Sequence, residues 1–159
     1  DEAVQNVEDG INRMVFSDNF QNVMVNYEME RGDIPQDILQ NTVRDELASS
    51  IVISDLYSGI ISNVIVFDID GKYVASMRDY NEDTDISSSD WKEEVSKRNG
   101  KSYWIDTHRD ENDTYLRHAD VLSVAKMIYS TNLVSNNSLY GKCIGYVLIN
   151  IKEQGFAKM

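Results

Sequence analysis

Apolar side chains recur every three or four positions through the first third of the chain, which places them on one face of a helix. The first stripe predicts one long helix over residues 2–30. Gly32 and Pro35 then mark a stop and a new first turn, and a second stripe predicts another helix that runs to about Tyr57. A small sheet cannot cover the first helix, so we expect it to stand partly clear and to form a homodimer with a second copy.

Residues 63–78 show a different pattern, in which two runs of β-branched and other apolar residues flank an Asp-Gly pair. Asp-Gly between such runs predicts a β-hairpin with a tight primed turn, because glycine accepts a positive φ. Asp68 ends the first strand, and Asp70 directly precedes Gly71. We therefore expect both carboxylates to hold the turn.

One short helix and three further strands are predicted after an acidic, serine-rich loop over residues 79–90. The short helix spans residues 91–98. The strands lie within residues 102–106, 115–130 and 143–151. Consecutive strands without crossover helices between most of them indicate an antiparallel sheet.

Together these elements predict a single α+β domain over residues 1–159, a length that suits one hydrophobic core. A helical segment over residues 1–58 precedes a five-stranded antiparallel sheet with one inserted short helix over residues 60–151. Residues 152–159 are expected to begin an exit helix. The chain starts at Asp1 without a methionine and stops within this pattern, so we expect a fragment whose flanking membrane spans are missing from it.

The charge of the chain excludes one class of partner. There are 15 Lys and Arg residues against 27 Asp and Glu residues, and the formal net charge is −12. An anionic surface repels phosphate backbones, so nucleic acid is not an expected partner. The single cysteine, Cys143, excludes an internal disulfide and lies in an apolar run, where we expect a buried thiol.

The order of the elements resembles that of a Cache domain. The residues that carry the resemblance are the first helix, the hairpin, the Trp91…Gly100…Tyr103-Trp104 stretch and the strands over residues 121–128 and 144–151. Cache domains are PAS-like extracytoplasmic sensor modules of bacterial receptors. The pattern is most similar to that of membrane sensor histidine kinases.

The resemblance implies a PAS-like sheet in an input domain that senses a small-molecule ligand on the extracytoplasmic side of the cell membrane. It also implies flanking transmembrane helices and an output module, such as a kinase, outside this fragment. No catalytic residue, metal or cofactor is expected in the fragment itself. Amino-acid-binding members carry a Tyr and an Arg before the tryptophan and a Tyr after it. Ser89, Asp90 and Lys92 surround Trp91 here, so amino-acid binding is not carried over.

Aromatic and cationic residues in the middle of the chain are the candidates for the ligand pocket. The predicted lining consists of Trp91, Tyr103, Arg117 and Lys126, and Tyr80 is predicted at the mouth of the pocket. Lys126 interrupts the apolar run of its strand, so it faces either a solvated edge or a site that pairs its charge. In a pocket, cations among aromatic rings favour an anionic or carboxylate-bearing ligand. On a solvated edge, the cations pair with neighbouring acids and the tryptophans belong to the core.

Two other functions stay open from the sequence. Residues 67–71 also match the opening motif of haloacid-dehalogenase-type phosphatases, in which two aspartates follow a buried parallel strand. In that alternative Asp68 is the nucleophile and Asp70 a general acid, although Lys72 replaces the usual threonine. The other alternative is a cytosolic PAS-like interaction module without a small ligand. Both aspartates lack the remaining ligands of a calcium-binding loop, so no metal site is predicted.

Overall fold

The computed structural model describes residues 2–56, 59–115, 119–131 and 138–152. These residues form, in chain order, α1 (Glu2–Val15), α2 (Asp18–Met29), α3 (Gln36–Ile53), β1 (Ile61–Phe67), β2 (Tyr73–Ser76), α4 (Asp90–Ser96), β3 (Tyr103–Arg109), β4 (Asp120–Tyr129) and β5 (Cys143–Lys152). The predicted α+β architecture, with helices before a five-stranded antiparallel sheet and one short helix inserted in it, is confirmed.

The sheet has the strand order β2-β1-β5-β4-β3, and every neighbouring pair is antiparallel. Its central strands β1 and β5 are buried almost throughout, because both faces of the sheet are covered. Side chains alternate between the faces along each strand. Val64 and Val66 of β1 pack with α1, α2 and α3 on the helical face. Ile65 and Phe67 pack with α4 and the loop after β2 on the second face.

The prediction of one long helix over residues 2–30 is wrong. The chain breaks between α1 and α2, where Ser17 is extended and its Oγ accepts a hydrogen bond from the Phe20 N–H at 3.4 Å. This N-cap satisfies a donor at the start of α2 and lets both helices turn their apolar stripes toward the same sheet. Ile11 of α1 and Met24 of α2 are fully buried, so the two helices fold into the core instead of standing clear of it.

The predicted hairpin is present as β1 and β2, but its turn is not the primed two-residue type. The Asp68 N–H donates to the Lys72 carbonyl at 2.9 Å, and three residues lie between them. Only Gly71 takes a positive φ, of +88°, which forms a bulge at the end of the loop. The Asp68 side chain favours this longer turn, because its Oδ1 accepts hydrogen bonds from the N–H groups of Asp70 and Lys72, both at 2.9 Å. A glycine is also required because a Cβ there would lie 2.9 Å from the Ser87 nitrogen.

Asp68 and Asp70 hold this turn against the helical layer through Arg31. The Arg31 guanidinium lies 2.7 Å from Asp70 and 3.5 Å from Asp68, and it also bonds Glu28 at 2.9 Å. The hydrogen bond with Asp70 and the other carboxylates raise the pKa of Arg31.

Because β1 is antiparallel to both of its neighbours, the buried parallel strand that the phosphatase alternative requires is absent here. That alternative is wrong at the level of fold.

Lys126 of β4 lies on the helical face of the sheet, which corrects its predicted place beside the aromatic residues. Val124 and Ile128, two residues to either side, belong to the core under the helices, and the alternation of the strand places Lys126 with them. Its ammonium group donates to the Gly100 carbonyl and lies 5.5 Å from the centre of the Phe16 ring. Burial lowers the pKa of Lys126, and the nearby Glu8 carboxylate offsets part of that effect.

Lys152, the first residue of the predicted exit helix, belongs to β5. Residues 153–159 lie outside the described residues, so the exit helix itself stays a prediction. Arg117 lies outside them as well. No helix in the described part of the chain is both long enough and apolar enough to cross a membrane.

Replacing the two turn aspartates is expected to have unequal effects. Asp70→Ala should lower the free energy of unfolding by about 1 kcal/mol or less, because its ion pair with Arg31 is half exposed. Asp68→Ala should lower it by about 2 kcal/mol, because two backbone N–H groups lose their acceptor in a partly buried turn. Urea unfolding of the two variants measures both values. Equal losses would contradict the assignment of the turn to Asp68.

Replacing Lys126 with methionine is expected to change how stability depends on pH. Between its lowered pKa in the folded state and its ordinary value of 10.5, the unfolded chain holds the proton more readily than the folded chain. The stability of the parent therefore rises with pH in that window, and Lys126→Met lacks this rise. Urea unfolding at several pH values between about 7 and about 10 should show that the free energy of unfolding of the variant falls relative to that of the parent as the pH rises.

The control for this measurement is Lys97→Met, which removes the exposed lysine directly after α4. An equal trend in both variants would contradict the assignment of the effect to burial of Lys126.

Candidate functional site

A cavity of about 360 Å³ lies on the second face of the sheet, away from the three N-terminal helices. Its walls come from the loop between β2 and α4, from the first turn of α4, and from the end of β3 with the loop that follows. Its polar and aromatic lining includes Tyr80, Asp85, Trp91, His108, Arg109, Asp110 and Glu111, and its apolar lining is formed by Ile86, Ile105 and Leu148. The volume suits a small molecule, and aromatic walls with a few polar groups are typical of ligand sites.

The aromatic wall of the cavity is packed from behind. The Trp91 ring lies 5.9 Å from the Phe67 ring, and the Tyr80 ring meets Phe67 edge-on at 6.4 Å. Tyr80 also stacks on Tyr73 at 6.2 Å between ring centres. Such contacts hold aromatic rings in fixed orientations. Tyr80 and Trp91, both predicted as pocket residues, are therefore brought to one site.

The polar part of the cavity is built on a buried network. Asp110 Oδ2 accepts from the Tyr80 hydroxyl at 2.8 Å and from the Asn150 amide at 3.0 Å. The same amide group donates to Asp113 at 3.0 Å, and its oxygen accepts from Ser123 at 2.6 Å. Asn150 and Ser123 are fully buried partners on adjacent strands. The network therefore ties the loop after β3 to the two strands beneath it.

Burial, and then the charge of the Asp110 carboxylate, raise the pKa of Tyr80. The hydroxyl of Tyr80 therefore stays protonated and remains a donor to Asp110 over the physiological pH range. This keeps the Asp110 carboxylate in one orientation at the wall of the cavity.

The sequence did not identify Asp110, Ser123 or Asn150 as site residues. Asn150 could have been predicted as a residue with a buried polar partner, because it interrupts the apolar run of β5 in the same way that Lys126 interrupts that of β4. A polar side chain in a buried strand must find partners, and its partners here are the two aspartates of the loop.

The other predicted pocket residues lie apart from this cavity. Tyr103 is half-buried and packs on the same face of the sheet, where the Arg98 guanidinium lies 4.5 Å from the centre of its ring. Lys126 points to the opposite face of the sheet, which the helices cover. Arg117 belongs to the residues for which no placement is described.

A larger and more open cavity, of about 590 Å³, shares Tyr80 with the first. Its lining is mostly polar and includes Arg44, Arg78 and three acidic side chains. Tyr73 and Tyr80 line it, but Met77 is its one aliphatic side chain. The first cavity has Ile86, Ile105 and Leu148 beside its aromatic wall, so it is the better candidate for a ligand site. Within the described ranges, no group of three or more His, Cys, Asp or Glu side chains could hold a metal ion.

No protein-family model and no curated protein matches the sequence. Solved structures do match its fold. The extracellular domain of rpHK1S-Z16, a protein assigned as a histidine kinase, is 14% identical with a TM-score of 0.59, over 99% of this chain and 53% of that one. The ligand-binding domain of the Campylobacter jejuni chemoreceptor Tlp3, in complex with L-valine, is 16% identical with a TM-score of 0.54, over 99% of this chain and 60% of that one.

A third match is the extracellular domain of vpHK1S-Z8, also assigned as a histidine kinase, at 11% identity and a TM-score of 0.56. It covers 97% of this chain and 53% of that one, so this chain spans little more than half the length of these solved chains. At such identities the likeness is one of fold. The chain has the fold of sensor and ligand-binding domains of histidine kinases and a chemoreceptor, as the resemblance to Cache domains implied.

Proposed function

We propose that this chain is the extracytoplasmic ligand-sensing input domain of a transmembrane signal-transduction receptor, of the sensor histidine kinase type. The single observation that carries the proposal is the cavity walled by Tyr80 and Trp91, in a fold shared with extracellular sensor domains. The kinase and the membrane-spanning helices belong to other parts of the receptor. In this reading the chain itself binds and does not catalyse.

The buried network supplies a route from the cavity to the end of the sheet. Asn150, which holds Asp110, lies two residues before the end of β5 at Lys152. The Lys152 N–H in turn donates to the Ile60 carbonyl, just before β1. A ligand that displaces Asp110 therefore acts close to the point where the chain leaves the sheet toward an output module.

A homodimer remains part of the proposal, but its contact differs from the one that the sequence suggested. The apolar positions of α1, such as Ile11 and Met14, face the core. A second copy that docks on this helix meets its polar side. All the side chains that line the cavity come from one chain, so the proposed binding function does not require the dimer.

The remaining alternative is a PAS-like interaction module without a small ligand. The two readings differ in what happens at the cavity, since an interaction module requires no response of the cavity to small molecules. The two tryptophans of the chain lie on opposite faces of the sheet and make this difference measurable. Trp91 faces the cavity, whereas Trp104 packs with the helical core and donates to Glu8 at 2.8 Å.

Two single-tryptophan variants test the proposed function. Trp104→Phe leaves Trp91 as the reporter, and Trp91→Phe leaves Trp104. A screen of small polar metabolites should contain compounds that change the fluorescence of Trp104→Phe in a saturable way, because a ligand in the cavity alters the surroundings of Trp91. The same compounds should leave the emission of Trp91→Phe unchanged.

Thermal unfolding of both variants confirms that they are folded before the screen. A response of Trp104 alone would place binding on the helical face and contradict the proposed site. Absence of a response from Trp91 across the screen would favour the interaction module.

A further inference from the structure

The ionisable side chains around the cavity are predominantly acidic. Asp85, Asp110 and Glu111 contribute three carboxylates, while Arg109 contributes one guanidinium and His108 one imidazole. The whole chain carries a formal net charge of −12, so no distant excess of cations offsets this local field. The cavity therefore attracts positive charge.

Asp110 is the carboxylate that is best fixed in position. Its Oδ2 accepts from Tyr80 and Asn150, and its Oδ1 accepts from the Asn112 N–H at 3.1 Å. All three donors are neutral, and among the described residues no cationic group lies within ion-pair distance of Asp110. A half-buried carboxylate whose charge is not paired favours a cation beside it. Its orientation is set in advance, which lowers the cost of binding one.

The aromatic wall suits the same type of ligand. Trp91 and Tyr80 present electron-rich rings, which attract ammonium groups as well as apolar groups. Ile86, Ile105 and Leu148 supply an apolar surface for the rest of the molecule. A volume of about 360 Å³ limits the ligand to a small compound.

We propose that the ligand is a small organic cation, whose ammonium group is held by Asp110 and whose apolar part packs on Trp91. This inference rests on the proposed function and names the ligand class of the same site. It replaces the anionic ligand that the sequence suggested. That expectation depended on Arg117 and Lys126, and Lys126 lies on the opposite face of the sheet.

The test uses probes that share one carbon skeleton and differ in charge. Isobutylamine, isovalerate and valine carry an ammonium group, a carboxylate, and both. A second set consists of phenethylamine, 3-phenylpropionate and phenylalanine. Binding is measured by the fluorescence of Trp91 in Trp104→Phe and by calorimetry. In at least one set the amine is expected to bind more tightly than the amino acid, and the carboxylate is expected not to bind.

Two variants that each remove one negative charge assign the effect to the site. Asp110→Asn should weaken amine binding by at least about tenfold, because it removes a charge-assisted hydrogen bond and keeps the shape of the side chain. Asp45→Asn is the matched control, since Asp45 is exposed on α3 at 78% of its side-chain surface. It should leave amine binding within about twofold of the parent, because Asp45 does not line the cavity and the effect of an exposed charge is screened by salt.

Glu111→Gln serves as a second variant in case Asp110→Asn disturbs the buried network. Glu111 is exposed, so its replacement leaves the fold intact, and amine binding should weaken by a smaller factor than in Asp110→Asn. Equal amine affinity in the parent and in both site variants would overturn the proposal.

The outcomes also separate this inference from the proposed function. Tighter binding of a carboxylate or an amino acid, with a response of Trp91, would overturn the cationic ligand and leave the sensing function in place. No response of Trp91 to any of the probes would overturn the cationic ligand. If the wider metabolite screen were silent as well, the sensing function would fail with it.

Discussion

Burial of the central strands on both faces is the constraint on which the rest of this structure depends. β1 is buried at every one of its seven positions, and an antiparallel sheet of this kind needs a cover on each side. Three long helices cover one side with close packing. The other side is covered by the seven-residue α4 and by loops, which cannot fill the surface as completely. The cavity lies under this thinner cover, so the division of the molecule into a core face and a ligand face follows from how each face is closed.

The polar residues inside the sheet determine where the loop over the cavity lies. Asn150 and Ser123 cost free energy in a buried strand pair unless each polar atom finds a partner. Ser123 donates to the Asn150 oxygen, and Asp110 and Asp113, from the loop after β3, accept from the Asn150 amide group. The need of these strand residues for hydrogen bonds therefore positions the two aspartates, and it sets the Asp110 carboxylate at the wall of the cavity.

Much of the fold could be predicted from local pattern, whereas the site depended on contacts between distant residues. The spacing of apolar residues identified the helices, the hairpin and the antiparallel sheet. It missed the break at Ser17, because the apolar stripe continues in both helices and only the cap interrupts the backbone. It could not assign Lys126 to a face of the sheet. The alternation along a strand shows which residues share a face, but it does not show which of the two faces the helices cover. Tyr80 and Trp91 were found as aromatics, but the pairing of Asp110 with Asn150 spans 40 residues and has no local signal.

In the proposed sensor, the same hydrogen bonds that order the cavity also limit how large its signal can be. An ammonium group beside Asp110 competes with Asn150 and Tyr80 for Oδ2, so the bonds from these two neutral donors loosen as the bond from the charged donor forms. Every one of these bonds ends on a carboxylate and contributes about 1.5–3 kcal/mol, so only the difference between the bond gained and the bonds loosened can shift a two-state equilibrium. A difference of about 1.4 kcal/mol changes such an equilibrium about tenfold. Because Asn150 lies two residues from the end of β5, this change in free energy arises where the last strand ends, and it needs no rearrangement of the helical core.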